Sequence, residues 1–174
     1  MLTAAGVEFE VAPPDIEELT GGAPPAELVL ENARRKARAI ADGAGEGALV
    51  LGVDTDVAID GRLLGKAETE AQARELLIQL SGRTHEVLSG VVLLDSAGTE
   101  RSAVEASYVT FVSLSEDVIV GYLESGEWRD RAGAYAVQGL GSMLVKRVEG
   151  DLSNVIGLPL QRLYELAPEI ASKA

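Results

Sequence analysis

Five almost uninterrupted apolar residues, Leu49 to Val53, run directly into Asp54-Thr55-Asp56. An apolar run this short, closed by acids, predicts a buried strand that delivers carboxylates to its C-terminal tip. In open α/β sheets the ligand crevice lies just beyond the carboxyl ends of such strands. Val57-Ala58-Ile59 follows, and then Asp60-Gly61, a two-residue hairpin signal. If Ile59 pairs with Arg62, counting outward sets Thr55 opposite Lys66, with Gly65 a point where a bulge would shift the register. Gln138 lies downstream in Ala134-Tyr135-Ala136-Val137-Gln138-Gly139. Acids, a lysine and an amide brought to one cleft suit chemistry on a phosphate.

A chain of 174 residues can bury one sizeable core, so a single domain spanning 1–174 is expected. No apolar stretch approaches the roughly 18 residues of a membrane span, and Met1 to Gly6 lacks the basic and apolar regions of a secretory leader. Cysteine is absent, which removes disulfides, thiolate metal sites and cysteine nucleophiles and fits a reducing cytoplasm. The formal net charge is −13. Nucleic acid and anionic membrane surfaces are therefore expected to be repelled. A small polyanion is different, provided that a divalent metal and a few placed cations offset the field locally.

Turn signals divide the rest of the chain. Glu8 to Val11 alternates like a strand. Pro24-Pro25 opens a helix to about Ala41, with Leu30, Ala33, Ala37 and Ile40 as its apolar stripe. A second helix is expected over Thr69 to Leu80, and strands over Val87 to Leu94 and Ala103 to Leu114. Ser115 caps a third helix to about Leu123. A glycine-rich stretch from Gly126 to Gly141 contains Trp128, followed by a strand near Met143 to Val148. Gly150 to Asn154 reads as a loop, and a last helix runs from Pro159 to about Leu166. Helices interspersed with consecutive strands predict an α/β fold, a mixed twisted sheet with helices on its faces.

The residue types narrow the chemistry. Asp54 and Asp56 have the position to bind a divalent metal or to activate water as a general base, although acids also cap turns after strands. Lys66 is returned by the hairpin toward that acid tip. Lys36 lies along the edge of the first helix's apolar stripe, where a snorkelling lysine is the commoner explanation. Glu17-Glu18 reads on pattern alone as a solvated pair. Gln138 has the groups to read a base edge. His85 is the only histidine, so a multi-histidine metal site and a serine–histidine triad are excluded. Trp128 reads as core or cleft wall. Neither of the common glycine-rich nucleotide loops is present.

Several segments in order carry a family resemblance: Val50-Leu51-Gly52-Val53-Asp54-Thr55, Gly61-Arg62-Leu63-Leu64-Gly65-Lys66, Leu80-Ser81-Gly82-Arg83-Thr84-His85, Gly126-Glu127-Trp128, Ala132-Gly133-Ala134-Tyr135-Ala136-Val137-Gln138-Gly139 and Asn154-Val155-Ile156-Gly157-Leu158-Pro159-Leu160. Together they resemble the Maf family of nucleoside triphosphate pyrophosphatases over nearly the whole chain. The resemblance implies two lobes around a cleft, as in inosine triphosphate pyrophosphatases. It also implies release of pyrophosphate from a nucleoside triphosphate with a divalent cation, Mg²⁺ or Mn²⁺. Carried over by position, Asp54 matches the catalytic base, and Glu18 with Asp54 the acidic metal site. Lys36 and Lys66 match phosphate-binding lysines, and Thr55 and Gln138 match residues that set base choice. Asp54-Thr55 and Gln138-Gly139 are similar to the branch acting on dTTP and UTP; the 7-methyl-GTP branch is the enzymatic alternative. A nucleotide-binding regulator of cell division without catalysis is the non-enzymatic one, and a homodimer is left open.

The chain also departs from the family pattern. Gly65-Lys66-Ala67 stands where Gly-Lys-Pro is usual. Met1 to Gly6 resembles the tail of the helix after the family's first strand and Ser-x-x-Arg-Arg loop, so that strand and loop are expected to be missing. An uncovered sheet edge and weakened turnover are the expected consequences.

Overall fold

The apolar run forms one long strand, β1 (Leu49–Ile59), in the computed structural model, which describes residues 1–173. Around it the chain builds α1 (Pro25–Ala41), β2 (Arg62–Leu63), α2 (Glu70–Leu80), β3 (Thr84–Asp95), β4 (Glu100–Phe111), α3 (Glu116–Ser125), β5 (Val145–Glu149), α4 (Leu152–Ile156) and α5 (Leu160–Leu166). The strands form one sheet in the order β2-β1-β3-β4-β5. The expected α/β class with flanking helices is met, and within the sheet every neighbouring pair runs antiparallel. Among the described residues no strand pairs with the outer edge of β1 from Leu49 to Asp56.

Local chemistry explains most element ends. Thr69 and Gln72 form a reciprocal capping box at the start of α2, and the Ser115 hydroxyl accepts the Val118 N–H at the start of α3. Asp60 and Gly61 adopt φ 53° and 74°, the left-handed pair that a type I′ hairpin requires. Ile59 pairs with Arg62 and Ala58 with Leu63, as expected, and the Leu64 N–H still reaches the Val57 carbonyl at 2.8 Å. The ladder stops there. Gly65 turns away with φ 63°, and Lys66 bridges to Ala132 instead of pairing with Thr55. Two other expectations are corrected. Glu8 to Val11 is not a strand: Phe9 is 49% and Val11 80% exposed, so the alternation has no apolar face to bury. The expected loop at Gly150 to Asn154 contains the start of α4, which the Asp151 carboxylate caps by accepting the Ser153 N–H.

The two faces of the sheet are covered differently. On one, α1 packs Val29, Ala33 and Ala37 against Ala58, Leu88 and Val92. Two glycines let the helix come this close: a Cβ on Gly52 would lie 2.2 Å from the Ala33 carbonyl oxygen, and one on Gly90 2.3 Å from that of Val29. On the other face the cover splits in two. Toward one end Val91, Leu93 and Leu51 meet α5 and Leu2. Toward the other, Val57, Val87, Val109 and Phe111 meet α2, α3 and Trp128. The cleft described below opens against this face, lined in part by Val57 and Val87.

His85 sits in the second of these clusters, 2% exposed, with Nε2 2.8 Å from the Tyr135 hydroxyl and its ring edge-on to Phe111. Burial pushes its imidazole down from 6.5 to about 4. The folded protein therefore binds fewer protons than the unfolded chain between these values. Stability is full above the ordinary histidine range and is lost as pH falls through it, by about 3 kcal/mol at most by pH 4. Urea denaturation of wild type and His85→Phe at pH 7 and pH 4.5 checks this. The variant should lose less on acidification, and equal losses would count against it.

Candidate active site

Asp54 is a strand residue with its carboxylate under a helix. It is 7% exposed and faces α1, because β1 alternates and Gly52, two residues earlier, faces the same way. Lys36, on the third turn of α1, places Nζ 2.5 Å from Asp54 Oδ1. The same ammonium lies 2.6 Å from Glu18 Oε1, so one cation is held between two acids. Burial opposes the charge on Lys36, but the bonds to Asp54 and Glu18 outweigh it and raise the ammonium above its usual range. Burial likewise works to raise the Glu18 carboxyl. The hydrogen bond and charge of Lys36, with a contribution from the charge of Lys66, bring it below the ordinary value.

Asn32 completes this cluster and was not anticipated from the sequence. It is 2% exposed, and its Nδ2 donates to Asp54 Oδ2 at 3.2 Å and to the Leu19 carbonyl at 3.0 Å. The Leu19 N–H donates back to Asn32 Oδ1 at 2.8 Å. One side chain thus fixes the segment carrying Glu18 and the acid on β1 together. The signal was present: asparagine is a poor mid-helix residue, and this one lies one turn from both Val29 and Lys36 on the buried side.

Asp56 shares the α1 side of the strand with Asp54 but is used differently. Its Oδ1 accepts the N–H of Val57 at 2.7 Å and of Gly65 at 3.1 Å. Burial raises this carboxyl, the two backbone donors lower it, and the charges of Asp54 and Glu18 raise it again, to about 6.

Thr55 points the other way, into a cleft of about 430 Å³ that it lines with Lys66, Arg131, Tyr135, Gln138 and Gly157 among others. The Thr55 hydroxyl lies 2.7 Å from Ser89 Oγ and donates to the Gly157 carbonyl at 3.2 Å. Lys66 and Gln138 are both exposed on the cleft wall. Trp128 is buried behind it and donates Nε1–H to the Leu123 carbonyl. The residues singled out from the sequence thus fall into two adjoining groups. Asp54, Lys36 and Glu18 lie on one side of β1; Thr55, Lys66 and Gln138 line the cleft on the other. Lys66 does not stand opposite Thr55, because its backbone bridges to Ala132, yet its charge still reaches Glu18.

A helix-held ammonium between two carboxylates thus adjoins a polar cleft that carries a second lysine. Comparison with known proteins gives the family. The model of the family described as Maf-like protein matches residues 1–170, and the chain belongs to this family. A dTTP/UTP pyrophosphatase of Symbiobacterium thermophilum is 44% identical over 167 residues, covering 95% of this chain and 85% of that protein. One from Bacillus cereus (strain ATCC 10987) is 42% identical over 164 residues, covering 94% and 80%. One from Bacillus cytotoxicus is 42% identical over 175 residues, covering 100% and 91%.

Proposed function

We propose that the protein hydrolyses dTTP and UTP to the monophosphate and pyrophosphate. The observation that carries this reading is Lys36, held between Asp54 and Glu18 on the α1 side of β1, across the strand from a cleft lined by Lys66, Thr55 and Gln138. Relatives at 42–44% identity bearing the name dTTP/UTP pyrophosphatase support the same substrates.

In this reading Asp54 takes a proton from the water that attacks the α-phosphorus. Asn32 holds one oxygen of that carboxylate and leaves its orientation little freedom. Lys36 and Lys66 bind the oxygens of the departing pyrophosphate, whose charge grows as the bond breaks. With its proton directed to Gly157 and one lone pair taken by the Ser89 hydroxyl, Thr55 keeps one acceptor lone pair for the cleft. That suits the N3–H of thymine or uracil, and the Gln138 amide offers a donor for a ring carbonyl.

A divalent cation fits the acids present. Mg²⁺ is commonly held by one or two carboxylates together with substrate phosphates and water, and Asp54 and Glu18 supply two carboxylates around one ammonium. Among the described residues there is no cluster of three acids or histidines to hold a metal without substrate. When bound, Mg²⁺ or Mn²⁺ would neutralise phosphate charge.

Pyrophosphate release from dTTP, UTP and 7-methyl-GTP, with and without Mg²⁺ or Mn²⁺, tests this reading. Turnover of the two pyrimidine nucleotides should exceed that of 7-methyl-GTP and depend on the metal. Preference for 7-methyl-GTP, or binding without pyrophosphate release, would replace it.

A further inference from the structure

Lys66 reaches the cleft although the hairpin that carries it does not continue there. The ladder between β1 and β2 ends after Ala58–Leu63 and the Leu64–Val57 bond, and among the described residues Lys66 pairs with none of β1. What fixes its direction is the residue before it. Gly65 sits at φ 63°, its N–H donates to Asp56 Oδ1 at 3.1 Å, and its carbonyl accepts the Gly133 N–H at 2.8 Å. Its two polar groups are thus taken from opposite sides, one by a side chain of β1 and one by the turn that precedes Tyr135. That turn is itself tightly determined. Asp130 and Ala134 hold φ 59° and 58°, unusual for residues with a Cβ, and a Cβ on Gly133 would lie 3.0 Å from Val57. Ala132 then bridges to Lys66.

The geometry points to Asp56 as a positioning residue for Lys66. Its carboxylate does not act on the substrate. It hooks the Gly65 N–H, ends the hairpin ladder at that residue, and turns the following lysine into the cleft beside Thr55. The inference rests on the proposed function only in taking Lys66 to be a phosphate contact. It separates Asp56 from Asp54, two residues away on the same side of the strand: one is oriented by the chain around it, and the other orients the chain.

Asn in place of Asp keeps an oxygen acceptor and removes the charge, whereas Ala removes both. Asp56→Ala should therefore lower kcat/KM by about tenfold, the size of one ordinary hydrogen bond, and should do so through Lys66. Asp56→Asn should stay near wild type. In the double variant Asp56→Ala with Lys66→Ala, the loss should not exceed that of Lys66→Ala alone, because a hook with nothing left to position has no further effect. If the void left by Ala prevents folding, Asp56→Leu fills the space without an acceptor and should behave as Ala does. Titration of each variant with inorganic tripolyphosphate by calorimetry gives the same comparison without turnover. Absence of pyrophosphate release by wild type therefore counts against the proposed function and leaves this test standing. Three results would overturn the inference: no change in Asp56→Ala, a double variant losing the product of the two single losses, or Asp56→Asn failing as badly as Ala. The last would mean that the charge, and not the hook, is what matters.

Discussion

Asp54→Asn should leave a folded protein that releases pyrophosphate about 10² to 10⁴ times more slowly, the usual range for losing a general base. The substitution is close in shape, but Asn32 Nδ2 and the Lys36 ammonium both donate to position 54, and Asn offers one acceptor oxygen where Asp has two. One of the two bonds is lost together with the capacity to take a proton. The change also leaves Lys36 with Glu18 as its remaining carboxylate, so some stability should be lost as well. Initial rates with dTTP at saturating metal, together with a thermal melt to establish folding, make the measurement. A variant within about fivefold of wild type would fall short of what positioned acid–base catalysis contributes and would remove Asp54 from that role.

Gly90→Ala should be, with Gly52→Ala, one of the two most damaging single methyl additions in the sheet. Gly90 pairs with Asp54 across β1 and β3, and its missing side chain is the space into which α1 descends. A Cβ there would stand 2.3 Å from the Val29 carbonyl oxygen and 2.6 Å from Leu30 Cα. Both are backbone atoms, so no rotamer change relieves the clash and the helix must lift. Overpacking of this kind costs roughly 1–3 kcal/mol or more, and for a protein of this size each kcal/mol lowers Tm by about 2–4 °C. The melting temperature should therefore drop by several degrees. Activity at permissive temperature should fall too, because lifting α1 withdraws Lys36 from Asp54. A melt indistinguishable from wild type would show that α1 is not seated as tightly as these distances require.

Where the controlling contacts are near in sequence, the chain was readable. The type I′ turn at Asp60-Gly61 needs only those two residues, and its register of Ile59 with Arg62 follows from it. The caps at Thr69 and Ser115 are equally local. Lys66 lines the cleft, yet its direction depends on Gly133, far along the chain and beyond the reach of a local turn argument. The strand expected over Glu8 to Val11 failed because alternation implies a strand only where a partner edge and a core face exist. Asn32 escaped notice because a single polar residue on a helix is ordinary until its burial is known. Even the acids divided in a way the sequence could not reveal. Asp54 and Asp56 differ by which donors surround them, and those donors come from α1 in one case and from the hairpin in the other.

Neighbouring positions on β1 have opposite outlooks: residue 54 looks toward α1, and residue 55 toward the cleft. In the proposed reading a nucleotide would straddle the strand's uncovered rim, with the attacked phosphate toward Asp54 on one flank and the base beside Thr55, with Lys66, on the other. Because side chains alternate with a period of two, a slip of β1 by one place against β3 would exchange the flanks. Cleavage and base choice would then vanish in the same event. A misregistered chain could not become an indiscriminate hydrolase; it would simply be inert.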